Sequence, residues 1–294
     1  MTSQVSITTL YPVLSNKNSH KRDQYIKFEE EGHKYTITCD SESKYTSVTT
    51  WNHSHFPHFD ADLIISKMMS GKSWKSGHKY WGLTREGIKD LWNLNRDNAA
   101  GAGTQLHYEI ECFMNSNVLM FDYTHYELLH QYNILIKYDK KYLDLGLEWN
   151  YFINFIENFP KLKPYRTEWI IFDEDLKIAG SIDMVYENPD GTLSIYDWKR
   201  SKDISMINHF NKFANNKIIC HMPDSNFWHY ALQLNTYKAI LERKYDKKVT
   251  DLYLVRLHPD AEEKTYELIK LPDLSKEVND LFEERKKEVC SENA

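Results

Sequence analysis

The sequence lacks every signature of a membrane or metal-ribbon protein. Its longest apolar runs fall well short of the roughly 20 residues that span a bilayer, and Met1 to Ser19 show no charged start followed by an apolar stretch. That pattern predicts a soluble, intracellular protein of cytoplasm, nucleus or viral replication site. Only four cysteines occur, Cys39, Cys112, Cys220 and Cys290, and none forms a Cys-x-x-Cys pair. Local spacing therefore excludes a zinc ribbon, and free thiols are the expectation. A basic excess is also missing: net charge is −6. A strongly basic nucleic-acid-binding face would have to be local, because acidic residues dominate elsewhere. Neither internal repeats nor low-complexity tracts are present.

The 294 residues are 41% hydrophobic, enough to bury a sizeable core. Residues 1–23 read as a polar arm. Tyr25 to Glu29 and Lys34 to Thr38 alternate about a glycine turn as a small hairpin. Asp60 to Ser70 has helical periodicity. Thr84 can cap a long helix that runs towards Asn115 and is expected to break at Gly101 and Gly103. Residues 116–141 read as helical, as do Asp144 to Phe159. Pro164 to Phe172 reads as a strand, Ser201 to Asn226 as a loop with short helical pieces, and Phe227 to Tyr245 as a helix. Thr250 to Leu257 and Thr265 to Leu271 read as strands before a terminal helix from Leu274 to Glu288. The pattern predicts an α/β fold, a central mixed β-sheet flanked by helices with an N-terminal helical region. Residues 1–99 would form the arm, the hairpin and a helical cap or arch, and 100–294 the main core.

The chemistry centres on Ala179 to Lys199. Two alternating runs flank Pro189-Asp190-Gly191, a three-residue hairpin loop with Gly191 in the left-handed position. This pairs Asn188 with Thr192, Tyr186 with Ser194 and Asp183 with Asp197. Opposed side chains share a face with Cβ atoms roughly 5 Å apart, and Lys199 points to that face too. Two carboxylates 4 Å apart repel by roughly 4 kcal/mol at an effective dielectric near 20. A divalent cation with a lysine beside it would offset this, the layout of a metal-assisted phosphodiester hydrolase. The plainer alternative is a surface hairpin with solvated aspartates.

Other residues carry the same two-sided reading. Thr104, His107 and Glu111 share one helix face, and His107 is either a metal ligand or a hydrogen-bonded histidine. Glu168 either reaches a metal or pairs with Arg166 on an edge strand. Gln233 and Tyr237, four apart, either donate to a phosphate or base or complete a half-buried polar face. His229 lies on that face one turn earlier. Trp198 should turn away from Asp197 into the core.

Taken in order, Gly103-Thr104-Gln105-Leu106-His107, Glu168, Gly180 to Asp183, Asp197-Trp198-Lys199 and Gln233 to Tyr237 resemble the RecB-type branch of the PD-(D/E)XK nuclease superfamily. That branch includes mitochondrial genome maintenance exonucleases and CRISPR-associated RecB-like nucleases. Ser47-Val48-Thr49 is similar to a segment ahead of the helical arch in the former. The resemblance spans about residues 100–240. It implies a restriction-endonuclease-like core and a nuclease, an exonuclease on single-stranded DNA or free DNA ends. It implies Mg²⁺ or Mn²⁺ held by His107, Asp183, Asp197 and the Trp198 backbone carbonyl. Lys199 would position or activate the water, and Glu168 would order the site or a second ion. Thr104, Arg200, Gln233 and Tyr237 would contact the nucleic acid. No iron–sulfur cluster is expected, since the three late clustered cysteines are missing. The alternatives are a non-catalytic nucleic-acid-binding module on the same fold, or an endonuclease or RNase, with RNA left open as a partner.

Overall fold

The computed structural model describes residues 12–29, 31–116, 122–138 and 145–292. It opens with a short helix, α1 (Val13–Lys17), and a two-stranded antiparallel hairpin of β1 (Ile26–Glu29) and β2 (Lys34–Ile37). A two-residue strand, β3 (Thr46–Ser47), leads into α2 (Val48–Ser54), where the Ser47 hydroxyl accepts the Thr50 amide as N-cap. Next come α3 (Ala61–Ser70), capped by Asp60, and the 30-residue α4 (Arg85–Met114), capped by Thr84 as its sequence predicts. Then follow α5 (His125–Tyr138), α6 (Leu147–Asn158), β4 (Lys163–Asp173), β5 (Ile178–Glu187) and β6 (Leu193–Lys199). After a long irregular segment come α7 (Asn226–Lys244), β7 (Val249–Arg256), β8 (Glu267–Lys270) and α8 (Ser275–Glu292).

The architecture is α/β, a mixed sheet between two helical layers. Strand β5 carries β4 along one edge, antiparallel from Lys163↔Glu187 to Asp173↔Ile178. Its other edge is shared by β6, antiparallel at the C-terminal half, and β3, parallel at Ile178 and Ala179. Strand β7 lies parallel to β6, and β8 closes that side. On one face Ile195, Leu252 and Leu254 bury against α7, α8 and α2. On the other, Met184, Tyr186, Tyr196 and Trp198 bury against α4, α5 and α6. This split follows from strand alternation: neighbours such as Ile195 and Tyr196 must enter opposite cores.

Three expectations change. Helix α4 continues through Gly101 and Gly103, whose missing side chains face open space. An isolated glycine costs a helix only about 1 kcal/mol against alanine, too little to break a 30-residue element. The same helix crosses position 99/100 unbroken. Residues 12–23 are not a loose arm. Leu14 is buried, Asn18 donates to the Tyr165 carbonyl, and Asp23 accepts from the Arg166 guanidinium (2.8 Å) and the Trp169 indole (3.1 Å). The segment from Ser201 to Ser225 forms turns and one isolated bridge, Phe213↔Pro223, and no helix. The arm's residues 1–11, and 117–121, 139–141 and 144 of the expected helical stretches, lie outside the described residues. No described helix is long and apolar enough to cross a membrane.

One core residue makes the fold pH-sensitive. His125 is fully buried, with Nε2 2.8 Å from the Tyr186 hydroxyl, and burial holds it down at about 3. The unfolded chain therefore takes up a proton below about pH 6.5 that the folded chain refuses. Stability is complete above that pH and falls as pH drops towards 3. Urea denaturation should show a loss of roughly 2 kcal/mol between pH 7 and pH 5 from this residue, absent in His125→Phe.

Candidate active site

The hairpin folds in the expected register. Asn188 donates to the Thr192 carbonyl (2.8 Å), Gly191 takes φ +80°, and pairs run from Glu187↔Leu193 to Met184↔Tyr196. Beyond Met184 the strands part, and Asp183 Oδ2 accepts the Trp198 amide at 3.0 Å. On the other edge of β5, Thr167↔Met184 and Trp169↔Ile182 bracket Glu168, which is thus placed beside Asp183. Glu168 has φ +41°, a left-handed conformation rare for a residue with a side chain. Strain of this kind costs of order 1–3 kcal/mol and persists where surrounding structure enforces it. Glu168, Asp183 and Asp197 therefore form one row across three neighbouring strands.

His107 reaches this row from α4. Its Nδ1 lies 3.5 Å from Asp183 Oδ2 and 3.8 Å from Glu168 Oε1, and its Nε2 lies 2.9 Å from the Trp198 carbonyl. His107, Glu168 and Asp183 each offer a ligand atom, all within 4.8 Å of one another. Glu168 does not pair with Arg166, which is engaged by Asp23. Its other oxygen accepts from Ser181 Oγ at 2.9 Å. Asp197 stands beside this trio and not in it. Its Oδ2 is 2.6 Å from Lys199 Nζ, a buried ion pair. The Lys199 ammonium also lies over the Tyr230 ring, 4.6 Å from its centroid.

Burial and charge set the protonation of these groups. Burial would lower His107, but Asp183 and Glu168 reverse that and bring it to about 9. Burial would likewise lower Lys199, and Asp197 and Asp183 instead hold its ammonium well above the usual range. Asp197 is pushed up to about 6 by burial and by Asp183, with Lys199 opposing. Asp183 is raised by burial, with His107 pulling the other way. Two cations thus interleave with the row of acids.

The remaining expected contacts lie at different distances from this centre. Thr104 is exposed and its hydroxyl returns to the Ala100 carbonyl. Arg200 is bonded to Glu148 of α6 at 2.8 Å. His229 turns to Asp224 (3.0 Å), with its ring tilted against that of His53 at 5.0 Å. Gln233 donates to the Tyr237 hydroxyl (3.1 Å) and to Thr49 Oγ1 (3.3 Å), joining α7 to the start of α2. Tyr237 is 3% exposed, and its ring lies over Gly180. Trp198 is buried among Phe152 and Phe155, as alternation requires.

Sequence reasoning placed Glu111 on the His107 face without giving it a role, and passed over Ser181 and Tyr230. Glu111, one turn after His107, is raised to about 7 by burial and Glu168, and both acids line a cavity of about 420 Å³. Ser181 and Tyr230 support Glu168 and Lys199. The i+4 spacing of His107 and Glu111 was the available signal for the first; nothing local announces the others. The sequence matches no protein-family model and no curated protein.

The approach of Gly180 to Tyr237 is testable. A Cβ at position 180 would lie 2.7 Å from Tyr237 Cε1. Gly180→Ala should lower unfolding free energy by roughly 1–3 kcal/mol in urea titrations, with less loss in a Tyr237→Leu background.

Proposed function

We propose that the chain is a Mg²⁺- or Mn²⁺-dependent nuclease that hydrolyses DNA phosphodiester bonds, acting as an exonuclease on single strands or ends. The observation that carries this reading is the convergence of His107, Glu168 and Asp183 beside the Asp197–Lys199 ion pair, from α4, β4, β5 and β6. The resemblance of the same residues, in the same order, to RecB-type PD-(D/E)XK nucleases supports it.

The donor set fits a divalent ion. Two carboxylate oxygens and an imidazole nitrogen within 4.8 Å of one another match the hard and borderline ligands such ions accept. His107, Glu168 and Asp183 would hold it, with Asp197 and the Trp198 carbonyl at its margin; relative to the family pattern, Glu168 stands nearer this centre than Asp197. A bound Mg²⁺ or Mn²⁺ supplies Lewis-acid polarisation and a more acidic water.

The chain's own groups do the positioning. Asp197 fixes the Lys199 ammonium at 2.6 Å, where it can position a water or a phosphate oxygen. Ser181 orients Glu168, and the Trp198 carbonyl orients the His107 ring. Lys199 also offsets negative charge that develops on a phosphoryl group, a role that preorganised cations perform without reorganisation.

The test uses end-labelled single- and double-stranded DNA, and RNA, with Mg²⁺ or Mn²⁺. Cleavage of DNA abolished by EDTA is expected, falling by about 100-fold or more in Asp183→Asn and in Lys199→Met while both remain folded by circular dichroism. Absence of cleavage with either metal would sink the proposal. His107→Ala should weaken Mn²⁺ binding measured calorimetrically.

A further inference from the structure

From Ser66 to Arg85 the chain holds no Asp or Glu, although it carries 43 of them in all. The same stretch supplies Lys67, Lys72, Lys75, Lys79 and Arg85, interleaved with Trp74, His78, Tyr80 and Trp81. It forms the end of α3, the turn-rich connection and the start of α4. Lys72, Lys75, Lys79 and Arg85 are exposed.

The rings form an ordered array. Trp74 lies 5.8 Å from Trp81 and 4.9 Å from His78, and Tyr80 lies 6.0 Å from Trp92, which packs in turn near Phe59. Trp81 remains 50% exposed and Phe59 63% exposed. The Lys89–Asp62 ion pair (2.8 Å) and a hydrogen bond from Arg85 to Ser66 pin α3 to α4 beneath them. Exposed and half-buried rings alternating with cations suit an unpaired strand, whose bases stack and whose phosphates pair with lysine. They suit a base-paired duplex less well, because its bases are already stacked.

Helix α4 joins this array to the candidate active site. From Asn93 to Ala102 it is exposed on every side, so it crosses open solvent before Leu106 enters the core. A helix with no buried face here gains nothing from packing and acts as a spacer. From Arg85 to His107 it spans about 33 Å at 1.5 Å per residue.

We infer that residues 66–85, with Phe59 and Trp92, are a docking platform for single-stranded DNA, held by α4 about 33 Å along its axis from His107 of the His107–Glu168–Asp183 centre. The inference rests on the nuclease reading for the fate of the strand, but not for its binding. Binding is measured on the full chain in EDTA, where no cleavage occurs, by fluorescence anisotropy with labelled oligo(dT) of 5, 10, 20 and 30 nucleotides. The 20-mer should bind at least about tenfold tighter than the 5-mer. Trp74→Ala/Trp81→Ala should weaken the 20-mer about tenfold or more. Lys75→Ala/Lys79→Ala should weaken it and flatten the salt slope by about 1.4, at about 0.7 per phosphate contact. Affinity unchanged within twofold in both folded double variants overturns the platform, as does preference for oligo(U) or for phosphatidylserine vesicles over oligo(dT). Loss of the nuclease reading would show separately, as no metal-dependent cleavage whatever the anisotropy.

Discussion

Three carboxylates in adjacent strands, Glu168, Asp183 and Asp197, repel one another at a place where Asp197 is almost wholly buried. Burying one unpaired charge is expensive, and opposing like charges adds to that. The protein holds the row by inserting cations between its members, the imidazole of His107 on one side and the ammonium of Lys199 on the other. Sheet register, the docking of α4 and the strained backbone at Glu168 all serve this arrangement. A one-residue slip of β6 against β5 would send Asp197 to the opposite face and bring Trp198 out of its aromatic core.

The supports extend well beyond the row. Asp23 bonds Arg166 and Trp169, on either side of Thr167 and Glu168, so the segment after α1 clamps the strand that carries the strained residue. Tyr237 packs against Gly180 and holds β5 three residues ahead of Asp183, while Gln233 ties that tyrosine to Thr49. Such shells matter because a site of this kind depends on fractions of an ångström in its geometry. Arg200, engaged by Glu148, belongs to the frame that joins β6 to α6.

The elements were legible where local chemistry dominates. Thr84 caps the helix it precedes, and the Pro189-Asp190-Gly191 loop fixes a register from which the Asp183–Asp197–Lys199 face follows. Local rules failed where a distant partner decides. Asp23 captures Arg166 from 143 positions away, leaving Glu168 to His107 and Ser181. Residues 12–23 look like a polar arm because their anchors, Leu14, Asn18 and Asp23, are spaced without period. Gly101 and Gly103 suggested a break, but the helix runs through them at a modest entropic cost.

By itself the sequence determined the α/β alternation, the hairpin register and the pairing of an acidic face with Lys199, since each depends on contacts a few residues apart. It also contained the acid-free aromatic segment as bare composition. Tertiary structure alone decided that His107 and Glu168 meet Asp183, that Asp197 stands beside their trio bound to Lys199, and that α4 crosses open solvent between the aromatic segment and the site. These depend on how separate elements pack, and packing is a property of the assembled core, which no short window of sequence contains.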